Sequence, residues 1–257
     1  SWAVKGFFTA FMISIMPLGF AHIVTLDFSE LPGQPVLIAF ALIEFLFVID
    51  VQLAMVGYLL TMKPLDAHIR SANPYMGGWV AALICYPPFI LMGNGGPLDY
   101  HFGTADWSFW LSDYPVLLVL WAIWLVFLTA IYAWATMIYG LRFSNLTYRG
   151  VITNGPYRFT RHPAYVSKNL FWWFATMPFL VTTHNPVDAV RNTVVLALVS
   201  AVYYWRARTE EAHLLAEDAK YRAYYEWMAR NGPVTVLFGR IATRLRSAGS
   251  NPVQPAE

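Results

Sequence analysis

Residues 114–139 read YPVLLVLWAIWLVFLTAIYAWATMIY and contain no charged side chain. A run of this length exceeds the roughly 20 residues that a helix needs to cross the hydrocarbon core of a bilayer. Only a helix satisfies all backbone polar groups within one such segment, so the run predicts a membrane-spanning helix. Similar apolar runs cover residues 7–26, 36–61, 77–97, 164–183 and 189–206.

The six runs predict an all-α, polytopic membrane helical bundle with about six transmembrane helices. The first run is too long for the core of a signal peptide, so we expect it to remain as a span. Pro87 and Pro88 predict that the third run is kinked or partly re-entrant, and Pro178 predicts a bend in the fifth. After the sixth run and the polar residues that end it, residues 214–227 predict a C-terminal cytoplasmic amphipathic helix.

The composition agrees with a membrane protein. Of the 257 residues, 58% are hydrophobic and 12% are charged, about half the charged fraction of an ordinary soluble domain. The net charge of +2 is too small to imply a nucleic-acid partner. Cys85 is the only cysteine, which excludes an intrachain disulfide and a zinc cluster built on thiolates.

The loops between the runs differ in charge, which predicts the orientation. Acidic residues follow the first and third runs, whereas basic residues follow the second, fourth and sixth: Asp27, Glu30, Asp99, Asp106 and Asp113 against Lys63, Arg70, Arg142, Arg149, Arg158, Arg161 and Arg206. The positive-inside rule then places both termini in the cytoplasm. We expect a multi-pass protein of a bacterial inner membrane.

Two carboxylates, Glu44 and Asp50, interrupt the second apolar run. An ionised carboxylate at the centre of a span costs at least about 2.5 kcal/mol on insertion scales, so each needs a partner. Six residues apart on a helix, they point about 120° from one another. They either contact a substrate or ion, or form buried hydrogen bonds with a neighbouring helix.

A short polar segment, residues 155–165, reads GPYRFTRHPAY and precedes the fifth run. Gly155 and Pro156 predict a turn, and Pro163 is suited to the first position of a helix. Arg161 and His162 would therefore lie at a helix N-terminus on the membrane surface, a place that binds anionic groups.

A second polar segment, residues 206–211, reads RARTEE and follows the sixth run. Taken alone, it is typical of a basic collar with i,i+4 ion pairs such as Arg206 with Glu210. Glu210 and His213 form one Glu-x-x-His pair, which di-iron bundles use in duplicate. No second copy exists in the sequence, so we expect no metal.

Taken together, these segments resemble the isoprenylcysteine carboxyl methyltransferase family and its relatives among the phospholipid methyltransferases. The resemblance runs from about residue 140 to residue 225, and it also includes Asn185-Pro186, Tyr221 and Tyr225. It implies a membrane methyltransferase that uses S-adenosylmethionine, reaches the cofactor from the cytoplasm and takes a lipid or hydrophobic acceptor from the bilayer.

The resemblance also implies roles for individual residues. A cofactor site would comprise Tyr157, Arg161, His162, Pro163, Tyr165, Glu210 and Glu211. Arg206 and Glu210 would be catalytic, with Arg206 orienting an anionic acceptor, and Lys168, Glu44 and Asp50 would contact the substrate.

The sequence departs from the family pattern at two places. Ser167 stands where relatives usually have Gly and is followed by Lys168, which adds a cation near the site. Asp218-Ala219 replaces a usual Phe-Gly pair. These changes affect the expected identity of the acceptor more than that of the cofactor.

We divide the chain into N-terminal transmembrane helices of unassigned role (residues 1–113), a methyltransferase-like membrane core (114–230) and a C-terminal tail (231–257). Two other functions remain open from the sequence. One is an NADPH-dependent membrane reductase of the sterol or steroid type, whose C-terminal helix also carries acids and tyrosines. The other is an accessory subunit of a membrane complex that has kept the fold without the activity.

Overall fold

The computed structural model describes residues 2–86 and 89–249, and the described chain is mainly helical with almost no sheet. Its helices are α1 (Trp2–Thr25), α2 (Pro35–Leu59), α3 (Met76–Leu83), α4 (Trp107–Trp110), α5 (Pro115–Tyr139), α6 (Pro163–Thr176), α7 (Pro186–Glu217), α8 (Ala219–Asn231) and α9 (Pro233–Gly249). Two short strands, β1 (Ser71–Ala72) and β2 (Thr147–Tyr148), pair antiparallel.

Among the described residues, four helices are long and apolar enough to cross a membrane: α1, α2, α5 with the turn that follows it, and α7. These agree with the predicted all-α membrane bundle, whereas the count of six spans is not confirmed. In place of the third run, α3 has only eight residues, and Pro87 and Pro88 lie outside the described residues. In place of the fifth run, α6 has 14 residues.

Helix α6 ends where the sequence predicted a bend. Met177 adopts a left-handed conformation with φ 45°, and Pro178 follows it. A residue before proline is disfavoured in the right-handed helical region, so the helix stops instead of bending.

Prolines and short polar side chains set several helix starts. Pro115, Pro163 and Pro186 are the first residues of α5, α6 and α7. This position suits proline because the first amides of a helix have no intrahelical partner. At α7, the Asn185 side chain also accepts a hydrogen bond of 3.1 Å from the amide of Val187.

The core consists of helices packed side by side. Helix α2 packs between α1 and α5, α5 also packs on α6, and α7 packs on α3, α6 and α8. Apolar side chains such as Val116, Ile123 and Val194 point outward from α5 and α7 and are exposed. This pattern is that of helices whose outer faces contact lipid.

The loop after α5 is fixed by the end of α2. The amide of Asn145 donates to the Tyr58 hydroxyl at 2.8 Å, and Arg149 donates to the carbonyl of Gly57 at 2.7 Å. The N-terminal helices thereby position a loop whose side chains reach the site described next.

Candidate active site

Residues 155–158 form a tight turn that carries Tyr157 into the protein. Gly155 has φ +57°, a conformation that glycine adopts without strain. The Tyr224 hydroxyl donates to the carbonyl of Tyr157 at 2.7 Å, and the Tyr157 ring meets that of Tyr139 edge-on at 5.1 Å. Helix α8 thus holds the turn just ahead of Arg161 and His162.

Three basic side chains contact Glu211 of α7. Arg161 Nε donates to its Oε1 at 2.7 Å, His162 Nε2 lies 3.0 Å from the same oxygen, and Arg208 donates to Oε2 at 2.6 Å. The Glu211 side chain is only 3% exposed. A carboxylate this deeply buried requires such partners, because unpaired burial of a charge is strongly unfavourable. Arg161 also stacks over the Tyr225 ring at 4.0 Å.

Glu210, the neighbouring acid, has a different set of partners. The Tyr165 hydroxyl donates to it at 2.5 Å, and Arg206 Nε donates at 3.3 Å. Arg206 is buried between the rings of Tyr86 and Tyr165, with its guanidinium 5.5 and 5.2 Å from their centroids. It also donates to the side-chain oxygen of Asn145.

Two cavities meet at these residues. The larger, of about 1250 Å³, lies among α6, α7, α8 and α9 and is bordered by Glu211 and Tyr225. The smaller, of about 110 Å³, contains Lys168, Arg206 and Glu210. Four side chains border both cavities: Arg161, His162, Tyr165 and Tyr203.

Lys168 sits in a ring of aromatic side chains at the smaller cavity. Its Nζ lies 5.3 Å from the Tyr132 centroid, 5.2 Å from Trp172 and 5.8 Å from Tyr203. Such distances allow cation–π attraction. Asp50 acts on Lys168 electrostatically from α2 and is itself bonded to Thr136 and Tyr132.

Some predicted site residues lie elsewhere. Glu44 pairs with His22 of α1 at 3.2 Å. Glu44, Asp50 and Pro163 are not among the described residues that line the two cavities. Pro163 is buried as the first residue of α6. A contact of Glu44 or Asp50 with the substrate stays a prediction.

The two departures from the family pattern have local explanations. The Ser167 hydroxyl is buried and donates to the carbonyl of Pro163 at 2.8 Å, so a small side chain fits there. Asp218 caps α8 by accepting from the Lys220 amide at 2.7 Å. The Tyr148 hydroxyl also donates to Asp218, and these bonds hold the pKa of that carboxyl below its usual range.

His213 does not share a partner with Glu210. Its Nε2 lies 2.9 Å from the Ser71 hydroxyl, on the strand that pairs with β2. His213 therefore links α7 to the β1–β2 segment, and Glu210 does not take part in this contact.

Residues 115–216 match the model of the isoprenylcysteine carboxyl methyltransferase (ICMT) family. The match covers 102 of the 257 residues, and it supports the assignment of this segment to the family. The match includes Arg161, His162 and Glu211, so the ICMT segment contains the whole cluster around the buried carboxylate. No curated protein and no solved structure matches the chain significantly. The match supports a membrane methyltransferase.

Sequence reasoning missed several side chains of the site. Arg208 lies three residues before Glu211, and this helical spacing could have predicted their ion pair. Asn145 and Tyr86 reach Arg206 from 61 and 120 residues away, and no local pattern in the sequence signals either contact.

Proposed function

We propose that the chain transfers a methyl group from S-adenosylmethionine to a hydrophobic acceptor at the cytoplasmic face of the membrane. The observation that carries the proposal is the convergence of Arg161, His162 and Glu211 at one end of the large cavity. These residues come from two motifs that the ICMT family match includes.

The residues around the large cavity fit the chemical groups of this cofactor. Its amino-acid end carries a carboxylate, which suits Arg161 or Arg208, and an ammonium, which suits Glu211 or, from the adjoining smaller cavity, Glu210. Tyr165 and Tyr203 present aromatic surfaces near the cavity, and such surfaces attract a sulfonium cation. When bound, the cofactor would supply an electrophilic methyl group.

The cavity is larger than one ligand needs. Its 1250 Å³ exceeds the roughly 300–1000 Å³ of typical small-molecule pockets. Its lining divides into the charged cluster of Arg161, His162 and Glu211 and apolar side chains such as Leu170 and Trp173 of α6. This division suits a polar cofactor beside an apolar chain that enters from the lipid.

The smaller cavity suits the reacting end of the acceptor. Arg206 and Lys168 both border it, so it favours a group with negative charge or strong hydrogen-bond acceptors. Asn145, Tyr86 and Glu210 hold the Arg206 guanidinium in place. Methyl transfer needs alignment of donor and acceptor and no protein nucleophile, so fixed positions are what the residues must supply.

Thermal unfolding in detergent tests the cofactor. We expect S-adenosylmethionine and S-adenosylhomocysteine to raise the unfolding temperature, because a ligand that binds only the folded state stabilises it. NADPH should have no effect. Stabilisation by NADPH alone would favour a reductase, and no response together with tight co-purification of other chains would favour an accessory subunit.

Two variants test the cluster. His162→Ala and Glu211→Ala should abolish the stabilisation by S-adenosylhomocysteine while the proteins remain folded. His101→Ala and Glu226→Ala are matched controls, because both side chains are exposed and lie away from the two cavities. Normal binding by both cluster variants would refute this assignment of the cofactor site.

A further inference from the structure

Helix α9 has one continuous apolar face. Leu237, Phe238 and Ile241 lie three, four and seven residues after Val234, and these spacings put all four on the same side of the helix. Leu237, Phe238 and Ile241 are 56%, 52% and 44% exposed. The helix begins 17 residues after the ICMT match ends, so the family assignment does not account for this face.

The charged residues of α9 are all basic. Arg240 and Arg244 are exposed and border the large cavity, and the sequence of the helix contains no acidic residue. An exposed apolar face with basic residues beside it is the pattern of helices that lie in the plane of a membrane surface.

The start of α9 is tied to the candidate active site. The amide of Val234 donates to the carbonyl of Phe159 at 3.2 Å, two residues before Arg161. Thr235, Val236 and Phe238 then line the large cavity. Whatever holds α9 against the rest of the protein therefore also holds one wall of that cavity.

We infer that α9 is an interfacial helix that binds the anionic surface of the bilayer. Its apolar face inserts beside the acyl chains, and its arginines lie among the lipid phosphates. Positive charge on the helix and negative charge on the lipid are complementary, and juxtamembrane basic residues are drawn to such surfaces. The inference does not depend on the proposed function, since it concerns lipid contact and not methyl transfer.

A spin label on α9 tests this placement. In a Cys85→Ala background, Leu237→Cys is labelled and the full chain is reconstituted in phosphatidylcholine vesicles, with or without phosphatidylglycerol. We expect the Leu237 label to be more accessible to oxygen than to a water-soluble nickel complex. Glu226→Cys, at an exposed position of α8, should show the reverse. Phosphatidylglycerol should increase the ratio of oxygen to nickel accessibility at Leu237.

The charge is tested separately. Arg240→Gln should remove the increase caused by phosphatidylglycerol, and Arg240→Lys should keep it. If the Leu237 label is as accessible to nickel as the Glu226 label in both vesicles, α9 lies in water and the inference is wrong. Dipolar broadening between Leu237 labels would indicate a second copy of the chain as the occupant and would also overturn it.

Discussion

Glu211 stabilises the protein as well as forming part of the candidate site. Glu211→Gln removes the negative charge from a nearly buried position and leaves three basic groups around a neutral amide. Hydrogen bonds to charged groups contribute about 1.5–3 kcal/mol, so we expect the free energy of unfolding to fall by about that amount. Denaturation in detergent measures the change.

Glu226→Gln is the matched control for this substitution. Glu226 faces Arg230 at 4.0 Å, and both side chains are highly exposed. Exposed pairs contribute roughly 0–1 kcal/mol, so this variant should unfold almost as the parent does. Equal destabilisation by the two variants would mean that the buried cluster has no special role in stability.

Substitution of Lys168 tests whether this side chain binds the acceptor or only stabilises the helix bundle. If it holds an anionic acceptor, Lys168→Met should raise the KM for extracted membrane lipids about tenfold or more, since a charged hydrogen bond contributes about 1.5–3 kcal/mol. The affinity for S-adenosylhomocysteine should not change. Transfer of an isotope-labelled methyl group at varied lipid concentration gives the KM.

Lys220→Met serves as the control, because Lys220 is exposed on α8. A Lys168→Met protein with a normal KM and reduced stability would show that the lysine stabilises the bundle and does not bind the acceptor. Its contacts would then be those with the surrounding aromatic side chains and with Asp50.

At the scale of single residues, the motifs predicted part of the site. The resemblance grouped Arg161 and His162 with Glu211, and the structure places them within hydrogen-bond distance. Asn145 was not predicted as a site residue because its position depends on Tyr58 of α2, far away in the sequence. Such contacts follow from packing between helices and leave no periodic signal.

Elements differ in how well the sequence predicts them. The starts of α6 and α7 follow from Pro163 and Asn185-Pro186, since capping and proline act locally. The lengths of α3 and α6 do not follow from hydropathy, because an apolar run remains apolar after the helix ends. Met177 and Pro178 end α6 within such a run.

A single residue, Asp218, separates α7 from α8, and its side chain caps the start of α8. Asp218→Ala should lower the free energy of unfolding by about 0.5–2 kcal/mol, the usual cost of losing an N-cap. Asp218→Asn keeps a capping side chain and should cost less at neutral pH. Denaturation of both variants and the parent measures the difference.

The pH dependence of this junction has a definite sign. The pKa of Asp218 is lowered in the folded protein, so the carboxylate contributes stability above its unfolded pKa, near about 3.9. That contribution is lost as the pH falls through the lowered folded value. The advantage of the parent over Asp218→Asn should therefore shrink in acid, and an advantage that grows in acid would contradict the bond from Tyr148.

For the whole molecule, the packing connects the predicted divisions of the chain. Helix α2 of the first division lies against α5 of the second and fixes the loop that carries Asn145. Helices α1 and α2 thus support the ICMT segment, although the boundary at residues 113 and 114 stays a prediction. Asp113 lies just before the start of α5, and Lys220 lies on α8.

The charges of the loops predict an orientation in the membrane, and two cysteines can test it. In a Cys85→Ala background, Asp113→Cys and Lys220→Cys introduce single thiols at exposed positions. The positive-inside rule predicts that a membrane-impermeant maleimide labels Asp113→Cys in intact cells and Lys220→Cys only after the membrane is opened. Helices α5, α6 and α7 lie between these two positions. The two thiols are on opposite sides of the membrane only if α6, with its flanking loops, also crosses it. Labelling of both thiols from the same side would show that α6 does not complete a crossing, and the cytoplasmic placement of the candidate active site would then have to be revised.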